Sequence, residues 1–293
     1  MNNFIQSYEL ILEKITPLSI DFSSILQIRK PKLSNLELIA LNITAEFKQI
    51  DSECQLFREI KNTYLFSKIE RSVYNKRKRN LFHFMEEIRK KMSASLTEFE
   101  NYFVVDSMPV EVCKNARASR STICKEEENC FPDKGFCASQ QMYYYGYKLH
   151  AICSINGVFT SIDFTPASVH DIHFLQDVKQ QMSNVVLLGD RGYLSSKIQL
   201  DLFNEAKIQL ETPMRKNQKN YQLQPYIFRK SRKRIETLFS QLCDQFMIRR
   251  NYAETFKGFK TRILSKITAL TTIQYLNKFT FNQNINNIKI NIA

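Results

Sequence analysis

Residues 101–110 read NYFVVDSMPV, and the pattern of apolar residues changes there. Upstream, they recur at helical spacing. From Tyr102 to Val105 they run together as a short strand that ends at Asp106. Further along, NVVLLGD (184–190) has the same form, an apolar strand closed by an aspartate. Between these two runs lies an irregular stretch to about Gln141, then YYYGYKLHAIC (143–153) and GVFTSIDF (157–164). Those two β-rich runs meet at Asn156-Gly157, a strong hairpin signal. A helix is expected over 169–182, another over SSKIQLDLFNEA (195–206), and a short strand in KIQLETP (207–213). The order is strand, hairpin of two strands, helix, strand, helix, strand, helix. It predicts an open α/β sheet, and in such sheets chemistry gathers at the carboxyl ends of strands.

The first hundred residues read as helices. In PKLSNLELIALNITAEF (31–47), Ser34 and Glu37 have capping-box spacing, and Leu36, Ile39, Ile43 and Phe47 share one face. Residues 54–71 and 77–92 also have helical character, with the basic run NKRKRN (75–80) around their junction. Past the sheet, RKSRKRIETLFSQL (229–242) crowds five cations into six positions, then has one acid, Glu236. Ile235, Leu238, Phe239, Leu242 and Phe246 form its apolar stripe. A last helix is expected over 256–278, and the tail FNQNINNIKINIA has no usable pattern. The expected division is a helical DNA-binding region over 1–100, a catalytic domain over 101–279 and a tail over 280–293.

The chain of 293 residues carries a formal charge of +13. Residues 1–100 hold +3, 101–212 hold −3 and 213–293 hold +13, so the last third accounts for the whole excess. A charge so concentrated points to a polyanionic partner, nucleic acid first. Arg229, Lys230, Arg232, Lys233, Arg234, Arg249 and Arg250 are the expected phosphate contacts, without sequence readout. No run approaches the ~20 apolar residues of a membrane span, and the amino terminus lacks signal-peptide character. A cytoplasmic protein with reduced thiols is expected, since its seven cysteines are an odd number. Cys113, Cys124, Cys130 and Cys137 are spaced too widely for the close pairs of a structural zinc site.

Asp106 and Asp190, each closing a strand, would bring two carboxylates to one mouth, and Glu236 on a covering helix could complete the set. Clustered carboxylates need cations, and hard oxygen ligands suit Mg²⁺ or Mn²⁺. Two such ions can activate an attacking oxygen and stabilise the leaving oxygen of a phosphodiester. The plainer alternatives are a Glu236–Arg232 ion pair on the helix surface and aspartates that merely serve turns. His170 and Asp171, adjacent after the hairpin, are candidates to orient a ligand or water. Arg191, next to Asp190, is a candidate phosphate contact. Tyr143, Tyr144, Tyr145 and Tyr147 are read as packing surface rather than base-stacking platforms.

VVDSMPV, YYYGYKLH, FTPASVHD, VVLLGDRGY and RKRIETLFSQL, in that order, resemble the DDE transposases of bacterial insertion sequences, with the best fit to insertion-sequence group 982. The resemblance covers about residues 34–278 and is strongest from 101 to 250. It implies a ribonuclease-H-like mixed sheet flanked by helices, preceded by a helical region. It further implies that Asp106, Asp190 and Glu236 bind two Mg²⁺ ions. In that family the triad cleaves at transposon ends and then transfers strands through the freed 3′-hydroxyl. The partners it implies are double-stranded DNA, as terminal inverted repeats and target, and a second protomer. The sequence departs from the tyrosine–arginine–glutamate–lysine signature of related transposases, having Arg229 at the tyrosine position and Cys243 at the lysine position. A purely hydrolytic nuclease of the same fold and a catalytically silent DNA-binding derivative stand as alternatives.

Overall fold

A computed structural model describes residues 3–25, 29–214, 217 and 221–288. Arg215, Lys216, Lys219 and Lys289 of the basic last third, and residues 289–293 of the tail, lie outside the described residues. The elements in chain order are helices α1 (Asn3–Ile15), α2 (Asn35–Phe47), α3 (Glu53–Glu59), α4 (Arg71–Asn80) and α5 (Phe82–Thr97), followed by strands β1 (Tyr102–Cys113), β2 (Asp133–Cys137), β3 (Met142–Ser154) and β4 (Phe159–Pro166). Then come α6 (Phe174–Val178), β5 (Val186–Leu188), α7 (Ser196–Ala206), β6 (Gln209–Glu211), α8 (Tyr226–Asp244) and α9 (Phe256–Phe279). No helix among the described residues is long and apolar enough to cross a membrane.

The chain divides into two compact units. The helical unit comprises residues 1–96, 242–251 and 257–293, and the sheet unit comprises 97–241 and 252–256. The units therefore run differently from the expected division at residue 100, since α9 groups with the amino-terminal helices. The reason is burial. From Ile263 to Leu276, α9 presents apolar residues and buried Thr, Ser, Gln and Lys on all sides, and a helix buried all round belongs inside a bundle. Its polar groups find partners there. Ser265 Oγ lies 2.8 Å from Asn42 Nδ2, and Lys266 Nζ lies 2.9 Å from Glu46 Oε2.

Within that unit, α2 begins with the expected capping box, Glu37 N on Ser34 Oγ and Ser34 N on Glu37 Oε2. The basic run 75–80 falls on α4 itself rather than at a junction, because α4 and α5 break at Leu81.

The sheet unit holds six strands in the order β2-β3-β1-β5-β6, with β4 also paired to β3. β3 is antiparallel to β1, β2 and β4, while β5 and β6 continue from β1 in parallel. This mixed sheet flanked by helices is of the ribonuclease-H-like kind expected. The hairpin turns at Gly157, whose φ of +90° is strained for any residue with a Cβ. Two strands differ from the reading of the sequence. β2 lies in the stretch expected to be irregular, paired to the start of β3. β1 continues to Cys113 because its antiparallel pairing with β3 runs on after its parallel pairing with β5 has ended.

One face of the sheet packs Phe103, Val105, Ile152 and Leu187 against Phe174, Leu175 and Val178 of α6 and Leu202 of α7. The other face carries Val104, Leu188 and Cys153, and α8 lies over it. Phe239 stacks with Phe159 at 6.1 Å and Phe228 meets Tyr102 at 6.2 Å. The stripe expected on α8 is the buried one: Ile235, Leu238, Phe239 and Leu242, with Phe246 just beyond the helix end.

Candidate active site

The site begins with strand register. Val104 of β1 is level with Leu188 of β5 in the parallel pairing. Two residues on, Asp106 takes by alternation the face of Val104, the one α8 covers, and Asp190 lies two residues past the end of β5, near enough for its charge to act on Asp106. Asp106 is thus not the end of its strand, as expected, but an interior residue of β1, opposite Ala151 of β3. It stands two residues past the last parallel pair, Val104 with Leu188. Asp190 leaves β5 and caps the turn 191–193, its Oδ1 accepting Gly192 N at 2.7 Å. Tyr193 folds back beneath Gly189, where an added Cβ would lie 3.2 Å from the Tyr193 Cβ.

Charge here is poorly balanced. Burial pushes the Asp106 carboxyl up to about 7. The Ser107 N–H bonded to it, at 2.8 Å, works in the opposite direction. The Asp190 charge adds to the rise, the Arg232 guanidinium opposes it, and Asp171 adds a smaller push. The buried Tyr193 phenol is held well above its ordinary range by burial first and then by Asp171, Asp106 and Asp190. Its hydroxyl has no hydrogen-bond partner among the described residues. Two neighbouring acids that repel one another have the chemistry of a hard divalent-cation site. Among the described residues, however, no three His, Cys, Asp or Glu side chains stand close enough together to hold a metal ion.

Glu236 is exposed on α8, one turn after Arg232. Arg232 is the residue that ties this helix to the acids: it acts on Asp106 and, with Asp190, Arg191, Arg229, Tyr221 and Gln224, lines a cleft of about 360 Å³. Arg191 and Arg229 are exposed. Lys230 and Lys233 are exposed on α8, as are Arg249 and Arg250 within the helical unit.

Arg234 is half-buried, unlike Arg229, Lys230 and Lys233 on the same helix. Its guanidinium packs on the Gly157 turn, and its buried Nε and Nη2 have no hydrogen-bond partner among the described residues. Position 234 lies one turn before Leu238, so it shares the helix stripe that faces the sheet.

His170 is exposed and its Nδ1 accepts Ile172 N at 3.3 Å, so it serves the turn that carries Asp171. Asp171 is drawn inward to Lys148 and Ser107, which the sequence reading did not single out. The available signal was one lysine in the otherwise apolar and aromatic run YYYGYKLHAIC. His150 is buried in β3, stacked on Phe174, with Nε2 2.8 Å from Thr165 Oγ1. Tyr144, Tyr145 and Tyr147 are core residues, while Tyr143 is exposed beside Phe136. Among the described residues, no cysteine is joined in a disulfide.

The transposase DDE domain family matches residues 98–272, more than half of the chain, and the chain belongs to that family. Neither the curated proteins nor the solved structures contain a match. Membership assigns the chain the general activity of a transposase, an enzyme that acts on DNA.

Proposed function

We propose that the chain cuts the ends of an insertion sequence and joins them to target DNA, with Asp106, Asp190 and Glu236 holding two divalent cations, Mg²⁺ or Mn²⁺. The observation that carries this reading is the acid pair, Asp106 raised in part by the charge of Asp190, beside a helix that presents Arg232 and, one turn on, Glu236. When bound, the two ions would activate an attacking oxygen and stabilise the leaving one. Asp106 and Asp190 are suited to supply rigid oxygen ligands, because one is locked inside a strand and the other is bonded to Gly192 N. Glu236, on an exposed helix face, would complete the set when the helix engages DNA.

Arg191, Arg229 and Arg232 around the cleft would orient the scissile phosphate. Lys230 and Lys233, and Arg249 and Arg250 in the helical unit, would bind backbone phosphate beyond it. The first hundred residues are read as the part that recognises terminal repeats. Pairing two ends calls for at least a dimer, working in the cytoplasm on the nucleoid. Arg229 and Cys243 stand where related enzymes have tyrosine and lysine, so the roles of those two residues do not transfer.

The test is nicking of a duplex carrying the element's own terminus, with Mg²⁺ or Mn²⁺, by wild type, Asp190→Asn and Glu236→Gln. Metal-dependent nicking that falls at least 100-fold in both variants is expected. Equal nicking by Glu236→Gln would return that glutamate to a surface ion pair. Product joined to an added target separates a transposase from a hydrolytic nuclease, and tight binding without nicking identifies a silent derivative.

A further inference from the structure

Asp171 is a third carboxylate within electrostatic reach of Asp106, but its bonding sets it apart from the other two. Its Oδ1 receives Lys148 Nζ at 3.0 Å and Ser107 Oγ at 3.2 Å. Lys148 also donates to the Val169 carbonyl at 2.8 Å, so one ammonium pins the loop leading to Asp171 onto β3. Ser107 acts in two directions: its hydroxyl goes to Asp171 and its N–H to Asp106 Oδ1. Pro109 pairs with Lys148 and Ser107 with His150, which puts Lys148 and Ser107 on one sheet face. The ion pair is mostly enclosed, its side chains 17% and 28% exposed, so water screens it only in part.

Among the described residues Asp171 does not join Asp106 and Asp190 in a three-acid metal cluster, yet its charge reaches Asp106. A permanent counter-ion on Asp171 shields the other two acids from that charge. We propose that Lys148 is this built-in counter-ion, and that Lys148 and Ser107 together make Asp171 a positioning residue for Asp106 that holds no metal itself. The inference rests on the reading of Asp106 and Asp190 as holders of a divalent cation.

The test is a Mn²⁺ titration of the full chain without DNA, followed by electron paramagnetic resonance, for wild type, Lys148→Met, Asp171→Asn and the double variant. Removing the ammonium leaves a surplus negative charge, so Lys148→Met is expected to bind Mn²⁺ about tenfold more tightly. Asp171→Asn leaves the ammonium unpaired and is expected to bind about tenfold more weakly. The double variant restores the balance and returns to within about twofold of wild type.

A double variant as weak as Asp171→Asn would overturn the proposal, because Asp171 would then be a ligand. Unchanged affinity in all three would overturn it as well, and a merely structural pair would lower melting temperature without this ordered change in affinity. Should Lys148→Met fail to fold, Asp171→Asn and the double variant still decide. A wild type that takes no Mn²⁺ would overturn the reading of Asp106 and Asp190 together with this inference, an outcome distinct from the other two.

Discussion

The two units bury charge in opposite ways. In the helical unit, Arg89 is wholly buried but grips Glu86 through two bonds of 2.6 and 2.7 Å. Lys266, 1% exposed, meets Glu46 at 2.9 Å. These charges have partners of opposite sign within bonding distance, and such pairs fix an arrangement more than they add stability. In the sheet unit, Asp106 is half-buried beside another acid and raised to about 7. A charge buried with its partner belongs to the architecture. One buried against its own kind is held for something that binds.

The largest way to break this comparison is to unpair the helical unit. Lys266→Met leaves Glu46 without its cation and should cost about 3–5 kcal/mol in urea unfolding. A Lys266→Met/Glu46→Leu double variant should recover most of that loss.

The opposite sign is expected in the sheet unit. The Asp106 carboxyl titrates near 7 in the folded chain against an ordinary value of 3.8. The folded state thus keeps its proton to higher pH than the unfolded state. Stability from this group is complete below about pH 4 and is lost as pH rises through 7. Asp106→Asn removes that loss and should stabilise the metal-free protein by about 1–3 kcal/mol at pH 8, after discounting for partial solvent screening. At pH 4 the difference should vanish, and chemical denaturation at both pH values checks it.

A smaller effect is expected at the hairpin. Gly157→Ala meets a φ of +90° and the Arg234 guanidinium together, and should cost about 1–2 kcal/mol in melting experiments. The smallest effect on stability is at Glu236, exposed on α8. Glu236→Gln should change unfolding by less than about 0.5 kcal/mol while removing activity, which marks it as a residue kept for chemistry.

Much of this contrast was legible in the sequence. Strand order, the Asn156-Gly157 turn and the two aspartates follow from local pattern, because apolar runs and turn residues act over a few positions. Asp106 and Asp190 are 84 residues apart, as are the paired Val104 and Leu188, so strand register carries both segments to the same part of the sheet. What escaped depends on long-range partners. β2, with Lys134 and Gly135 in a polar setting, forms because β3 supplies a partner, not because its own residues favour a strand. The inward turn of Arg234 needed the helix stripe to be traced one turn back from Leu238. The Lys148–Asp171–Ser107 contacts join two strands and a loop, and no spacing rule connects them. α9 follows the catalytic residues in the chain, and its grouping with the amino-terminal helices shows only in its all-round burial.

The Asp106–Asp190 pair is proposed to take a divalent cation that offsets the repulsion between the two acids. The most direct measurement is unfolding free energy between pH 4 and pH 8, with and without Mn²⁺, for wild type and Asp106→Asn. Wild type should lose stability as pH rises without metal, keep it when Mn²⁺ is present, and differ in both respects from a variant that shows neither response at this site. A wild-type curve that Mn²⁺ leaves unchanged, or that Asp106→Asn reproduces, would contradict the account.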